Sequence, residues 1–353
     1  MNRRYALKAI AAPVITSVLA AARPLFADSD FPIGPATERT PLLAEFEKRR
    51  LGVSFHFSMN TFTGNDYEEG KVPAATYNPT HLDVKQWIKA AHELGAKYAV
   101  LTAKHMSGFV LWNSPSYDYG VANSGNKTDV VAEFVSACHR YGIRPGYYYC
   151  ILDPRNEGTP KVDWGGLVSP NYFALIRRQV TELHTNYPGA FYQIFDIPAK
   201  LTSEQRWELY RLVKSLTPNC LVVYNQTFDI SRRNQGRVCD PGSWPTDIVD
   251  AEDTLPPPEG HDPHIVYQGK SYYMPFEAWI PTGPIYKPDP RIHSWFWREG
   301  YKTQGADVIA SDYKACVKGS ANLLLNFAPD ASGRLPEETV RTMRDAARLI
   351  ATA

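Results

Sequence analysis

Two carboxylates in this sequence, Asp196 and Glu277, are candidates for nucleophilic or acid–base chemistry. Asp196 follows the apolar and aromatic run 191–195, which is typical of a strand. Pro198 comes two positions later and cannot continue a sheet ladder, so the strand is expected to stop near Asp196. Glu277 ends a second strand-like run at 274–277. Cleavage of a glycosidic bond needs such a pair, one carboxylate for the anomeric carbon and one acid for the leaving oxygen. Capping of a helix or turn is the alternative role for Asp196.

Further polar side chains follow other strand-like runs: His56, Lys104, His105, Tyr149, Asp153, Asn225 and Asn326. In α/β barrels the chemistry lies at the carboxyl ends of the strands, so this distribution favours a polar ligand site at one rim. Each residue taken alone has a structural alternative, such as a hydrogen-bonded core histidine or an asparagine that caps a turn. The chain has no GxSxG motif, and neither HxH nor HExxH accompanies the histidines, so the sequence predicts no metal and no cofactor.

Eight strand-like runs would position these residues: 53–57, 98–102, 145–150, 191–195, 220–224, a weak candidate between 237 and 249, 274–277 and 322–327. Most are continuous apolar runs, which are typical of parallel strands covered on both faces. Helical patterns alternate with them at 82–95, 128–142, 170–187, 203–216, 303–317 and 336–350. This alternation predicts an α/β fold, a (β/α)8 TIM-type barrel with some irregularity. A doubly wound sheet is the alternative, but neither GxGxxG nor GxxxxGK[ST] occurs where a nucleotide would need it.

Composition narrows the class of partner. The 353 residues carry 38 Lys and Arg against 37 Asp and Glu, and no basic stripe, so neither nucleic acid nor an anionic membrane surface is indicated. Aromatic residues reach 12%, which suits a sugar site where rings stack on apolar C–H faces. The five cysteines are scattered without a CxxC pair, and an odd number does not make a complete disulfide framework.

The first 30 residues have the pattern of an export signal. Arg3, Arg4 and Lys8 precede the apolar run 9–22, and small residues follow, which resembles a twin-arginine signal. We expect residues 1–27 to be a signal peptide cleaved after Ala27, and residues 28–353 to form the catalytic barrel. An uncleaved anchor is less favoured because the run is shorter than the roughly 20 residues of a membrane span. The predicted location is the bacterial periplasm or the medium, with no membrane insertion after processing.

Longer stretches resemble the α-L-fucosidases of glycoside hydrolase family 29. The resemblance lies in VSFHFSMNTFTGNDY, AKYAVLTAKHMSGFVLW, TDVVAEFVSACHRYGIRPGYYY and GSANLLLNFAPDASGRL, and it extends from about residue 52 to residue 350. It implies retaining cleavage of terminal α-L-fucosyl residues through a covalent fucosyl-enzyme. The implied substrate is a fucosylated oligosaccharide or glycoconjugate.

The resemblance also implies the roles of single residues. The family's nucleophile, the aspartate of a WFDG segment, falls on Asp196 of IFDIP, and its acid/base glutamate falls on Glu277 of MPFEAW. The competing acids are Glu252 and Glu259 of DAEDTLPPPEG. Sugar binding is implied for His56, His105, Trp112, Tyr149, Trp295 and Trp297, with ordinary core packing as the alternative for Trp112 and Tyr149.

Two positions depart from the family pattern. KHMSGF stands where the family usually has KHHDGF, so Met106 and Ser107 replace a histidine and an aspartate that could hold sugar hydroxyls. The glycine after the nucleophile is Ile197. The family's frequent C-terminal β-sandwich is not expected in this chain. The alternatives are therefore a sugar-binding barrel with little or no turnover, or a glycosidase for a fucose-like sugar such as α-L-galactose.

Overall fold

Eight parallel strands form the centre of the computed structural model, which describes residues 34–159, 161–225, 228–229, 237–238, 240–256, 260–284 and 294–352. The strands are β1 (Leu51–Phe55), β2 (Tyr98–Lys104), β3 (Arg144–Cys150), β4 (Tyr192–Asp196), β5 (Leu221–Tyr224), β6 (Val249–Glu252), β7 (Phe276–Pro281) and β8 (Asn322–Phe327). Their order in the sheet is β5-β4-β3-β2-β1-β8-β7-β6. The last strand thus pairs with the first, and the predicted (β/α)8 barrel is confirmed. The doubly wound alternative is wrong, because its strand order would reverse at a switch point.

The barrel closes between β5 and β6 through the segment that precedes β6. The backbone N–H of Asp247 donates to the carbonyl of Val222 at 2.9 Å, and the Asp247 carboxylate accepts from the backbone N–H of Val222 at 2.7 Å. The sixth strand therefore begins at Val249, at the end of the predicted 237–249 window. Two short antiparallel pairs lie outside the barrel, Phe228–Asp229 with Arg237–Val238 and His264–Tyr267 with Lys270–Tyr273.

The seventh strand corrects one prediction that matters for chemistry. The run 274–277 was expected to end at Glu277, whereas β7 spans Phe276–Pro281 and Glu277 is its second residue. All six residues of β7 are buried, so the stretch has no alternation of apolar and polar residues that could mark its start. Glu277 consequently lies at the amino end of the barrel, the end opposite to the expected site.

The helices surround the barrel. They are α1 (Pro41–Arg49), α2 (Met59–Thr63), α3 (Val84–Leu94), α4 (Val130–Tyr141), α5 (Pro154–Glu157), α6 (Pro170–Asn186), α7 (Ser203–Leu216), α8 (Ala306–Lys318) and α9 (Glu337–Ala351). Asp83 caps the N-terminus of α3, and Gly95 ends that helix in the left-handed conformation. Asp129 and Gly142 do the same for α4. The six predicted helices are confirmed.

Helix α1 closes the amino end of the barrel. Its Phe46 ring lies 5.9 Å from the ring of Tyr98, and its Phe46 carbonyl accepts from the Asn322 amide at 2.8 Å. Leu43 packs into the same interior cluster. Among the described residues α1 thus covers this end, and the cavity of the barrel opens at the carboxyl ends of the strands.

Two expectations concern export and oxidation. The predicted signal peptide, residues 1–27, and Cys239 lie outside the described residues. Cys138, Cys150, Cys220 and Cys316 are buried free thiols, and burial is typical of structural cysteines. Within the described ranges no helix is both long and apolar enough to cross a bilayer.

Candidate active site

A cavity of about 190 Å³ opens at the carboxyl ends of the barrel strands. It lies at the rim where catalytic groups of this fold are found. Side chains from strand ends and from the loops that follow them line the cavity: His56, Asp66, Tyr67, His105, Met106, Tyr148, Trp164, Asp196, Ile197, Asn225, Glu252, Trp279, Trp295 and Phe296. The site therefore combines three carboxyl groups with several aromatic rings, as a polar ligand with apolar faces requires.

Asp196 is the last residue of β4, and three groups donate hydrogen bonds to its carboxylate. The donors are the hydroxyl of Tyr148, the amide of Asn225 at 2.6 Å and the backbone N–H of Ile197 at 2.8 Å. Burial raises the pKa of Asp196, and these bonds oppose that rise because they stabilise the charged form. Asp196 is thus a desolvated carboxylate held in one orientation, which is what a nucleophile needs.

Ile197 adopts the left-handed conformation, with φ 52° and ψ 46°. This region is a strained one for a β-branched residue, and glycine is the residue that enters it freely. The conformation turns the Ile197 N–H back onto the Asp196 carboxylate, and Pro198 then begins a short 3₁₀ turn. The isoleucine at this position thus keeps its backbone N–H on the carboxylate, at a cost of order 1–3 kcal/mol.

Glu252 ends β6 and shares a hydrogen-bond donor with Asp196. The amide nitrogen of Asn225 lies 2.6 Å from Asp196 Oδ1 and 2.8 Å from Glu252 Oε2. Those two oxygens are therefore at most about 5.4 Å apart, which is consistent with the roughly 5–5.5 Å between carboxyl groups of retaining glycosidases and shorter than the gap of inverting ones. Burial, and then the charge of Asp196, raises the pKa of Glu252 to about 7. Asp196 accepts more hydrogen bonds than Glu252, which favours the charged form of Asp196, while burial favours the protonated form of Glu252.

His56 and His105 line the cavity as neutral imidazoles. Burial lowers the pKa of His56 to about 3, although its Nδ1 lies 2.7 Å from Asn326 Oδ1. Burial, and then the neighbouring His56, holds the pKa of His105 well below its usual value. The two rings meet edge to face at 5.6 Å. A neutral imidazole can both donate and accept, so each of the two suits a sugar hydroxyl.

Aromatic rings form one wall of the cavity. Trp295 packs against Trp279 at 4.6 Å and against His56 at 5.0 Å. Its backbone N–H donates to Asp66 at 3.0 Å, and its carbonyl accepts from the Asn326 amide at 2.8 Å. Burial raises the pKa of Asp66 to about 6. These two hydrogen bonds hold the segment after β7 over the barrel mouth.

The structure does not bring Glu277 into this site. Its carboxylate accepts from the hydroxyls of Tyr98 and Tyr192, the first residues of β2 and β4. Tyr192 and Asp196 are four residues apart on one strand, which is about 13 Å at the rise of a β-strand. Glu277 is therefore below the cavity rather than opposite Asp196. Of the competing acids, Glu252 lines the cavity, and Glu259 lies outside the described residues.

Three aromatic predictions also need correction. Trp112 is fully buried between barrel and helices, where its indole N–H donates to Glu182 at 2.9 Å. Tyr149 points outward and donates to Gln179 at 2.5 Å, because successive side chains of a strand face opposite sides. Trp297 is half-buried and is not among the residues that line the cavity. The aromatic rings that line the cavity in their place are those of Tyr148, Trp279 and Phe296.

The site residues that the sequence analysis missed differ in how strongly the sequence indicates them. Gly146, Tyr148 and Cys150 alternate along β3, and a Cβ on Gly146 would lie 2.8 Å from Tyr192 Cβ in the barrel interior. A glycine in a strand marks such a close approach, so the YYY run held a clue to which tyrosine faces inward. Asp66 and Trp164 come from irregular loops, and no periodicity points to them. Met106 lines the cavity as predicted from its position, whereas Ser107 is buried behind it.

Comparisons with known proteins show which family this chain resembles. A family model described as Alpha-L-fucosidase matches residues 53–352. Alpha-L-fucosidase 1 of Arabidopsis thaliana is 28% identical over 310 residues, which are 84% of this chain and 56% of the plant protein. The chain thus spans little more than half the length of the Arabidopsis protein, although the match covers most of the chain itself.

Solved structures share the fold. Alpha-L-fucosidase isoenzyme 1 from Paenibacillus thiaminolyticus superposes with a TM-score of 0.69 at 23% identity, over 88% of this chain and 75% of that protein. An alpha-L-fucosidase of Bacteroides thetaiotaomicron, trapped as a covalent intermediate with 2-fluoro-fucosyl fluoride, has a TM-score of 0.70 at 20% identity. That match covers 92% of this chain and 78% of the Bacteroides protein.

Proposed function

This chain belongs to the α-L-fucosidase family, and we propose that it cleaves terminal α-L-fucosyl residues from glycans with retention of anomeric configuration. The observation that carries the proposal is the Asn225 amide, which bonds to both Asp196 and Glu252 at the barrel mouth. It holds one oxygen of each carboxyl group within about 5.4 Å of the other, which supports a retaining rather than an inverting mechanism. The substrate would be a fucosylated oligosaccharide or glycoconjugate.

The reaction proceeds in two steps. The Asp196 carboxylate attacks the anomeric carbon, and the glycosidic C–O bond breaks as Glu252 gives its proton to the leaving oxygen. The product of this step is a glycosyl ester on Asp196, with Glu252 ionised. A water molecule then attacks the same carbon, gives a proton to Glu252 and releases Asp196 as a carboxylate. Both groups return to their starting states, so no external reactant other than water is needed.

The neighbouring residues support these roles. Three donors to Asp196 favour its charged form, and the buried surroundings of Glu252 favour its protonated form. His56, His105 and the Trp295 wall offer hydrogen-bonding groups beside an apolar face. Glu277 takes no part in this proposal, because it lies at the other end of the barrel interior.

Three variants test the assignment on a fucosylated oligosaccharide and on α-L-fucosyl fluoride, whose leaving group needs little protonation. We expect Asp196→Gly to lose about 10⁴-fold or more in kcat on both substrates. Glu252→Ala should lose about 10²- to 10⁴-fold on the oligosaccharide and much less on the fluoride. The matched control Glu277→Gln should stay within a few-fold of wild type on both. An aryl α-L-galactoside assayed in parallel tests which sugar is accepted.

Azide separates the two carboxyl roles by stereochemistry. It should rescue Glu252→Ala and give a glycosyl azide of retained configuration, and it should rescue Asp196→Gly with inversion. Loss of activity in Glu277→Gln with an unaffected Glu252→Ala would reverse the acid assignment. Tight fucose binding without turnover by the wild type would instead support a sugar-binding barrel.

The protein is also proposed to be exported, because residues 1–27 have the basic start and apolar run of a twin-arginine signal. The near-neutral charge balance and the absence of a basic stripe give no support to a nucleic-acid partner.

A further inference from the structure

One tryptophan at the cavity mouth is exposed although its backbone is firmly held. Trp164 is 53% exposed, and it is the only one of the eight tryptophans that is not at least half-buried. It nevertheless lines the cavity, with its ring edge-on to Tyr67 at 5.8 Å. The exposed part of the Trp164 indole is in contact with water rather than with other side chains. It therefore does not stabilise the fold by packing.

A buried lysine fixes the backbone on both sides of this ring. Lys200, almost fully buried, donates from Nζ to the carbonyls of Asp163 and Gly165, each at 2.9 Å. The same ammonium pairs with Glu157 at 2.7 Å. Lys200 belongs to the turn that follows Asp196, so the loop that presents Trp164 is tied to the strand of the proposed nucleophile. The indole is thus a prearranged surface rather than a loose side chain.

The size of the cavity indicates what this surface would meet. At about 190 Å³ the cavity is smaller than the 300–1,000 Å³ of sites that enclose drug-sized ligands. Because α1 closes the other end of the barrel, a glycan can extend only outward past the rim, where Trp164 stands. The apolar C–H face of a pyranose ring is the chemistry that an exposed indole recognises.

We propose that Trp164 is a binding platform for a second sugar ring, the residue of the glycan next to the fucosyl unit. The inference rests on the proposed function and deepens it, since it makes the substrate an oligosaccharide rather than a fucoside with a small leaving group. The site comprises Trp164 with Tyr67 beside it, and Lys200 is a positioning residue that acts through the loop backbone.

The test compares a fucosylated trisaccharide with α-L-fucosyl fluoride, which has no second ring. Trp164→Ala should lower kcat/KM for the trisaccharide by roughly 3- to 10-fold, mainly through KM, and leave the fluoride within twofold of wild type. Trp164→Phe should retain most of the trisaccharide activity. The matched control is Leu167→Ala, on the same loop and 60% exposed but not lining the cavity, which should change neither substrate.

Equal losses on both substrates, or no loss on either, would overturn the platform. Calorimetry decides the same question without turnover: the trisaccharide should bind Asp196→Asn more tightly than Asp196→Asn with Trp164→Ala, while fucose should bind both alike. Equal trisaccharide binding would also overturn the inference. A wild-type protein that hydrolyses neither substrate contradicts the proposed function, and the calorimetric comparison then still gives its own answer.

Discussion

At the scale of single residues, Asn225 determines how the two proposed catalytic carboxyl groups titrate. Its amide donates to both, and each hydrogen bond stabilises the ionised form. Burial works in the opposite direction on Asp196 and Glu252. Asp196 accepts more of these bonds, which favours its charged form, whereas the pKa of Glu252, the proposed acid, is raised to about 7.

This balance predicts the pH profile. For an oligosaccharide, kcat/KM should fall above about pH 7 as Glu252 loses its proton. With α-L-fucosyl fluoride that alkaline limb should be much shallower, because the leaving group needs little protonation. In Asn225→Ala both limbs should move to higher pH, since both carboxyl groups lose a bond that stabilises their charge. The exposed Asn113→Ala is the control, and an unshifted profile in Asn225→Ala would contradict the assignment.

At the scale of elements, β6 and β7 place two more carboxyl groups below the site. Asp250 and Glu277 are register partners on these neighbouring parallel strands, and both are fully buried. Glu277 accepts from two tyrosine hydroxyls, whereas neither Asp250 oxygen has a hydrogen-bond partner among the described residues. Burial, and then the charge of Glu277, raises the pKa of Asp250 well above its usual value. These two carboxyl groups, Asp250 and Glu277, form the floor of the barrel, and they retain protons that the unfolded chain would release.

This floor should make the protein less stable as pH rises. A carboxyl group with a raised native pKa binds more protons folded than unfolded above about pH 4, so the free energy of unfolding falls by up to about 1.4 kcal/mol per pH unit until the native pKa is reached. Asp250→Asn has no titrating group at this position, so its free energy of unfolding lacks this contribution to the fall with pH. Its melting temperature relative to wild type should therefore be higher at pH 8 than at pH 4.5, as measured by calorimetry.

The exposed Asp118→Asn is the matched control for this experiment. A stability difference for Asp250→Asn that is equal at the two pH values would show that the floor carboxyl titrates alike in the folded and unfolded states.

At the scale of the whole molecule, closure of the barrel joins distant parts of the chain into one site. Asn326 of β8 contacts His56 and Ser54, and the Trp279 indole donates to Ser54 at 2.9 Å. Outside the rim, the fully buried Lys104 pairs with Asp153 at 3.0 Å. Loss of either partner of such a buried pair is strongly destabilising, so Lys104 and Asp153 serve the fold rather than the ligand.

The route of the whole chain out of the cytoplasm is predicted from its first residues. Arg3→Lys with Arg4→Lys should leave the precursor in the cytoplasm, because a twin-arginine signal is read through its arginine pair. The measurement is an immunoblot of cytoplasmic and periplasmic fractions. Arg23→Lys, a change of the same type later in the segment, should leave export unchanged. Normal export of the double variant would contradict the twin-arginine interpretation.

The local patterns of the sequence were enough to predict most of the elements, and the family resemblance then pointed to Asp196 as the proposed nucleophile. Continuous apolar runs mark strands that are covered on both faces, and glycines such as Gly95 and Gly142 mark the ends of helices. The end of β4 at Asp196 follows from Pro198, whose effect on a strand is local. The alternation of these elements was sufficient for the barrel, because parallel strands joined by helices have few ways to pack.

The partner of Asp196 was decided only by the tertiary structure. Every residue of β7 is buried, so apolar character cannot show where the strand begins, and a shift of its bounds moved Glu277 from the rim to the floor. The two faces of β3 are equally aromatic, so the choice between Tyr148 and Tyr149 depends on which of them faces the barrel interior. Glu252 becomes the candidate acid only where β5 and β6 bring Asn225 between two carboxyl groups. The spacing of residues along the chain does not determine the distances between strands, and those distances define the site.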